Sequence, residues 1–450
     1  MKKLLFFSLA VALTTAIAGC DPNTDAPSVK SISVGAQSAE INIGDLKEVT
    51  FPITIEGKIN GNFSWDIDFY TTSAGTTATS FPPGIFIAGV EFVSGNTGTV
   101  KLKTQTGLVA GIYYFGIMIN GVRSNVAILM IEIPLIGDGD WYAYQTHSTG
   151  NGVDLVFMGD GYSALDIAQG KYEKDMKTAI EGFFEIEPYK AYRHYFNAYV
   201  VWTVSDVSGI GTGGTPKNTK LSTFHGSGSS MDADRNLCFA YALKAPIKDI
   251  DKSVVILVAN STEWGGTCWM WSSGRAIAMQ PSDAGTPLLL KHLVQHEAGG
   301  HGFGKLADEY VNEGTAASRS RDDIRSNHAS GWYVNVDVTN DTNEVIWKDF
   351  IGHPKYPMVG VFEGGYYFST GVWRPENVSA MGSTSSTITR PFNAPSRAAI
   401  VKRIKELAGE AYTIEGFIST DIIEVHPGTN ASTDWSILRS TAPPVVINNI

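Results

Sequence analysis

Cysteine is scarce in this 450-residue chain: Cys20, Cys238 and Cys268 are all there is, too few for the disulfide framework of a small secreted scaffold. Neither Cys238 nor Cys268 has a second Cys or a His two to four residues away, which argues against a zinc site built on them. Basic charge is short too. Lys and Arg number 34 against 45 Asp and Glu, a net charge of -11, and nowhere do they gather into a stripe that would neutralise phosphates, so no nucleic-acid partner is expected. Beyond the first twenty residues no apolar run approaches the roughly 20 residues that span a bilayer, and no repeat of fixed period occurs. With 43% apolar and 18% charged residues, disorder and a fibrous repeat are excluded, and roughly two or three domains are expected.

What is present begins with an export signal. Lys2 and Lys3 precede an apolar run from Leu4 to Ile17, which closes on Ala18, Gly19 and Cys20. The run is too short to span a membrane, and its Cys ending resembles a bacterial lipoprotein signal. Residues 1–20 then form the signal, cleaved just before a Cys20 that is lipidated and becomes the mature N-terminus, and the only membrane contact is the lipid anchor, in the bacterial cell envelope as an outer-membrane or cell-surface lipoprotein. Residues 21–30 are rich in Pro, Asn, Thr and Asp and suit a flexible tether. Outside the cytoplasm Cys238 and Cys268 have one possible intramolecular pairing, and a disulfide is expected; two buried thiols among Trp264, Trp269 and Trp271 are the alternative.

From 31 to 136 the apolar residues alternate, as in Val49, Phe51, Ile53 and Ile55, with Gly, Asn and Ser at the breaks. About seven short strands fit an all-β immunoglobulin-like sandwich. Without a His or Cys, this segment reads as a spacer, or more sharply as a substrate- or glycan-binding module. The pattern changes at Ile136 to Asp140, and residues 141–450 mix helical and strand periods, which predicts a mixed α/β domain. Val153 to Met158 reads as a buried strand and Gly159 to Tyr162 as a turn. Ser163 with Asp166 then caps a helix running to about Phe184, and Asp160 reads as a helix cap ahead of a residue that lines the turn or binds a cation. The Gly-, Ser- and Thr-rich stretch 208–230 reads as a flap or binding loop, and Ala276 to Gln280 as an edge strand able to pair with an extended peptide.

The most informative segment runs from Leu288 to Tyr310. His296 and His301 bracket Glu297. In the zinc-protease helix H-E-x-x-H the two His are four apart and differ by about 40° around the helix, so they share a metal. Here they are five apart, about 140° on a regular helix, and they converge only if the helix takes in an extra residue or unwinds, most easily at Gly299 and Gly300. Without a metal, the segment reads as a helix C-terminus with a His facing the dipole. Gly304 falls three after His301, where the metzincin pattern turns the chain toward a third ligand. Asp308 falls seven after it, one more than that pattern gives, with Glu309 beside it.

His-Glu-Ala-Gly-Gly-His-Gly-Phe-Gly-Lys-Leu-Ala-Asp-Glu-Tyr, with Gly159 to Tyr162, Tyr192 to Asn197 and Trp373 to Met381, resembles the IgA-peptidase family of zinc metallopeptidases, relatives of the metzincins. The resemblance covers about residues 153 to 404. It implies a metzincin-like zinc-protease domain with one catalytic Zn²⁺ held by His296, His301 and an acid, and Glu297 as general base toward the attacking water. Asp308 is the preferred third ligand, with Glu309 next and a later acid such as Glu313 or Asp322 after that. Met381 would lie under the metal in a Met-turn. Tyr366 and Tyr367 read as core, or as one hydrogen-bond donor to the tetrahedral oxyanion. A calcium site near Glu313 is possible from composition, though a solvated face suits the acids better. The function so expected is a lipid-anchored endopeptidase acting on protein or peptide substrates. The alternative is a catalytically inactive surface protein or glycan-binding lipoprotein on a protease-like scaffold.

Overall fold

The computed structural model describes residues 29–41, 47–59, 63–105, 111–132, 137–283, 285–385, 390–424 and 438–448. The signal, the lipidated Cys20 and nearly all of the tether lie outside the described residues. The chain divides into two compact units, Met1–Glu132 and Ile133–Ile450.

The first unit is all-β. Its strands are β1 Ser31–Val34, β2 Glu48–Glu56, β3 Trp65–Tyr70, β4 Ala78–Thr79, β5 Ile85–Ser94, β6 Thr97–Thr104, β7 Gly111–Ile119, β8 Val122–Arg123 and β9 Ala127–Ile131. They form two antiparallel sheets, β1-β2-β6-β5 and β4-β3-β7-β8 with β9 also on β7. Val49, Phe51, Ile53 and Ile55 of β2 all face inward, as the period-two pattern predicts. Opposite them stand Phe115, Ile117 and Ile119 of β7, and the Phe51 and Phe115 rings meet edge to face with centroids 4.8 Å apart. Packing of the two inner faces makes this unit a sandwich.

The second unit mixes helices and strands around one sheet. β10 Trp141–Gln145, β11 Val153–Asp160, β12 Phe196–Val201, β15 Val254–Ala259, β16 Thr267–Trp271, β17 Ala276–Pro281 and β22 Val445–Ile447 run in the order β10-β12-β11-β15-β17-β16-β22. Short hairpins make up the rest: β13 Phe224–His225 with β14 Met231–Asp232, β18 Phe362–Gly365 with β19 Phe368–Arg374, and β20 Thr384–Ser385 with β21 Leu438–Arg439. The central strands β11, β12 and β15 are parallel and buried along their whole length, as continuous apolar runs covered on both faces should be. One face carries α2 Lys171–Phe184, α4 Pro287–Leu293, the wide helix Val294–Phe303 and α5 Ala394–Ala408; the other carries α3 Arg235–Ala242.

Several local expectations change. Ser163 accepts from the Asp166 amide and Asp166 reaches back to the Ser163 amide, but the helix they open, α1 Ala164–Ala168, ends at once and α2 starts afresh at Lys171. Asp160 caps no helix. Its carboxylate accepts from Ser205 Oγ, Thr219 Oγ1 and the amides of Leu221 and Thr223 at 2.7–3.1 Å, which pins the Gly-rich stretch to the end of β11. Ala276–Pro281 is no edge strand either, since β15 pairs on one side of it and β16 on the other. The expected disulfide is absent. Cys238 and Cys268 are both free and buried, Cys238 in the apolar layer on one face of the sheet and Cys268 in the layer on the other, so the sheet lies between the thiols.

Candidate metal centre

The segment between α4 and Lys305 decides the site. Thr286 caps α4, and from Val294 to Phe303 the helix widens into a π-helix. Its i to i+5 bonding sets residues five apart on one face, which is what the spacing of His296 and His301 requires. The two rings stand 4.8 Å apart at an interplanar angle of 89°. Gly300 makes room for this. A Cβ on it would meet Met381 Sδ at 2.1 Å, so the fully buried Met381 lies directly under the widened turn. Gly304 remains helical, with φ -70. The left-handed turn out of the helix falls on Lys305, φ 53, and Gly304 is instead where a Cβ would crowd the carbonyl oxygens of Gly299 and Gly300, at 3.0 and 2.9 Å.

The turn returns Asp308 to the two imidazoles. Asp308 Oδ1 is 3.0 Å from His296 Nε2 and 3.4 Å from His301 Nε2, and the three ligand atoms lie within 4.8 Å of one another. His296 Nδ1 donates to the Ala380 carbonyl at 2.9 Å and His301 Nδ1 to the Leu306 carbonyl at 2.7 Å. With their protons spent there, both neutral rings turn a bare Nε2 lone pair toward a carboxylate oxygen. Three acceptors and no donor converge in a buried place, and all three atoms lack a hydrogen-bond partner. Such a set holds together only around a cation. Tetrahedral zinc with arms of about 2.0–2.1 Å sets its ligand atoms roughly 3.3 Å apart, close to the two gaps just given, so the donor set fits the metal. Burial opposes charge on His296, but Asp308 beside it raises the imidazole to about 9. Burial would likewise raise Asp308, yet the two imidazoles hold it well below the usual carboxylate range.

Glu297 stands next to the ligands with both carboxylate oxygens buried and unpartnered. Burial raises its pKa against the pull of His296 and His301. The wall over it is Gly266, where a Cβ would come 2.7 Å from Glu297 Oε1.

The neighbouring acids do other things. Glu309 is buried and takes bonds from Asn335, Asn393 and Ser379 at 2.7–2.8 Å, while its amide donates to the Met381 carbonyl at 2.8 Å. That clamps the tight turn Ser379–Gly382 beneath the π-helix and commits three of the four lone pairs of Glu309 to neighbours other than the two imidazoles. Glu313 and Asp322 are exposed, one accepting from the Ser369 amide and the other paired with Arg325. Among the described residues the only grouping of three metal-binding side chains is His296, His301 and Asp308; the acids near Glu313 form none.

Sequence reasoning read Tyr367 as core or as an oxyanion donor; it is core, 0% exposed, but its bond to Asp308 was missed, as was the role of Tyr310. Tyr367 OH donates to Asp308 Oδ2 at 2.5 Å, orienting the carboxylate from a backbone at φ 73. Tyr310, 7% exposed, donates to the Thr441 carbonyl at 2.8 Å. Neither role has a local signature, because each partner lies tens of residues away in the chain.

Residues 143–358 match the family described as IgA Peptidase M64. No curated protein matches the chain. Among solved structures it is similar to domains 4 and 5 of the S-layer protein SbsC, with 17% identity over 24% of this chain and 53% of that one, TM-score 0.16. It is similar also to the Escherichia coli adhesin FdeC, with 13% identity over 29% and 40%, TM-score 0.19, and to the Yersinia pseudotuberculosis adhesin InvE, with 13% identity over 29% and 32%, TM-score 0.18. The chain thus spans about half of the first and less than half of the other two, and likenesses of this size carry no argument about its fold or activity.

Proposed function

We propose, on the match of residues 143–358 to the family described as IgA Peptidase M64, whose members are metal-dependent peptidases, that this chain is a zinc-dependent endopeptidase acting on protein substrates. The observation that carries this reading is the convergence of three buried, unpartnered acceptor atoms from His296, His301 and Asp308 beside an equally unpartnered Glu297 carboxylate. A zinc ion held by those three side chains supplies a Lewis acid that polarises the scissile carbonyl and acidifies the attacking water.

The chain's own residues do the rest. Glu297 takes the proton of the attacking water on a carboxylate oxygen and delivers it to the leaving amine. The carbonyls of Ala380 and Leu306 hold the imidazoles in the tautomer that presents Nε2, and Tyr367 fixes the Asp308 carboxylate. Met381 gives the centre an apolar floor. The domain carrying this site is read as metzincin-like and spans 141–450, preceded at 31–136 by an immunoglobulin-like spacer. The same proposal includes export on the signal of residues 1–20 with lipid on Cys20; among the described residues no helix is long and apolar enough to cross a membrane.

Elemental analysis of wild type, Glu297→Gln and His301→Ala tests the reading, alongside hydrolysis of a peptide library. Wild type and Glu297→Gln should each carry about one zinc per chain, with hydrolysis falling at least about a hundredfold in Glu297→Gln. His301→Ala should lose both. Wild type that takes up no zinc even on addition would sink the proposal.

A further inference from the structure

Every group that this chemistry uses is shut away from solvent: His296 is 1% exposed, and Glu297, His301 and Asp308 are each 0% exposed. A hydrolase of polymers must admit its substrate to that point, so whatever covers the site governs access. Part of the cover is a late segment of the chain itself. Arg439 pairs with Thr384, the Ser440 carbonyl accepts from Trp264 Nε1 at 3.2 Å, and the Thr441 carbonyl from Tyr310. The Ala442 amide donates to the Gly266 carbonyl at 3.0 Å. Val445–Ile447 then run parallel to β16 along its outer edge. A methyl group on Gly266 would stand 2.7 Å from Glu297 Oε1 and 2.8 Å from Thr441 Cγ2. Thr441 and Glu297 therefore meet at one glycine.

This segment is held differently from the sheet it joins. The inner strands β11, β12, β15 and β17 are buried at every residue, whereas Val445, Val446 and Ile447 are each only half-buried. Pro443 and Pro444 carry no amide hydrogen, so they cannot donate to β16 between Ala442 and Val445. Thr441, Ala442 and Pro444 are buried where the segment passes Gly266, but the strand Val445–Ile447, half-buried at the edge of the sheet, is the kind of element that opens locally. A strand edge recognises main chain more than side chains, and any extended peptide offers the carbonyls and amides that Ser440–Ile447 offers now.

We propose that Ser440–Ile447 is a resident occupant of the protein's own peptide-binding edge, and that an extended protein substrate reaches Glu297 and the outer edge of β16 only by displacing it. The proposal rests on the endopeptidase reading of the site. Tyr310 then has two states: it holds the Thr441 carbonyl while the segment is docked, and is free to hold a substrate carbonyl once the segment leaves.

The test uses the full zinc-loaded chain, with two readouts: hydrolysis of a quenched-fluorescent peptide pool and the rate of zinc loss to a chelator. Ala442→Pro removes the bond to Gly266 without touching a ligand or Glu297. It should raise both rates about tenfold, the factor that one lost backbone hydrogen bond supports. A second form, cut once at a protease site engineered within 428–433, keeps the question open to refutation should Ala442→Pro fail to fold. Its hydrolysis should rise on dilution and fall again when synthetic peptide 438–450 is added. Equal hydrolysis and equal zinc loss in wild type, Ala442→Pro and cut chain, with no effect of the peptide, would overturn the proposal and make the segment a fixed wall. Zinc-loaded forms that hydrolyse nothing, yet lose zinc faster in Ala442→Pro, would sink the endopeptidase reading and leave the displaceable segment standing.

Discussion

Two neighbouring carboxylates, Asp308 and Glu309, end in opposite electrostatic states, and the difference is made by what each one faces. Asp308 meets two imidazoles and a tyrosine hydroxyl. Glu309 is bonded by neutral amide and hydroxyl groups and feels one cation, Arg374, only as the weakest influence, so burial prevails and pushes it up to about 7. A carboxyl raised in the folded state above its free value of about 4.3 contributes stability that is full below about pH 4.3 and is lost as pH rises through 7. Glu309→Gln keeps the hydrogen-bonding shape and removes the charge. Denaturation of the zinc-free proteins should find the substitution gaining on wild type across that window, by up to about 3 kcal/mol at pH 8. Glu309→Ala should instead lose about 2 kcal/mol at every pH, because Asn335, Asn393 and Ser379 lose their acceptor. The thiols give a second check at this scale. Alkylation of the folded chain without reductant should leave Cys238 and Cys268 unlabelled, and unfolding without reductant should label both; an unreactive pair after unfolding would restore the disulfide.

At the scale of the element, the π-helix is the costly feature and also the useful one. It gives up regular i to i+4 bonding so that two His five apart share a face, and it survives because Met381 and Phe392 fill the space beside Gly300. Gly300→Ala puts a methyl group into Met381. The expected loss is about 1–3 kcal/mol of stability from overpacking, accompanied by weaker zinc retention on dialysis, because the turn that carries the Ala380 carbonyl to His296 has to shift. Normal zinc retention with an unchanged melting point would mean that the floor is not needed. The His-Glu pair and the two glycines were legible in the sequence because helix geometry is local. The ends of the element were not: Gly304 was read as the turn that Lys305 makes.

Across the whole molecule, two compact units with separate cores should melt in two transitions. Zinc should raise only that of 133–450, by about 2.7 kcal/mol when free zinc is a hundredfold above its dissociation constant. Calorimetry with and without zinc reads this directly, and a single transition moved as one block by zinc would contradict it. Pairing over long chain separations is also a property of this scale. Ala276–Pro281 alternates as an edge strand would, but β16 beside it and Val445–Ile447 beyond it turn the edge outward by two strands.

The sequence by itself determined the all-β and mixed segments, the buried strand at Val153 to Met158, the capping of α1 by Ser163 and Asp166, and the gathering of His296, Glu297 and His301 on one helix. All of these follow from periodicity or from contacts within a few residues. The tertiary structure alone decided which of two adjacent acids faces the imidazoles, that Cys238 and Cys268 lie on opposite faces of one sheet, that Asp160 anchors a loop, and that Thr441 stands over Glu297. Each of these depends on which way a side chain points once strands far apart in the chain are side by side, and one residue of register reverses that direction.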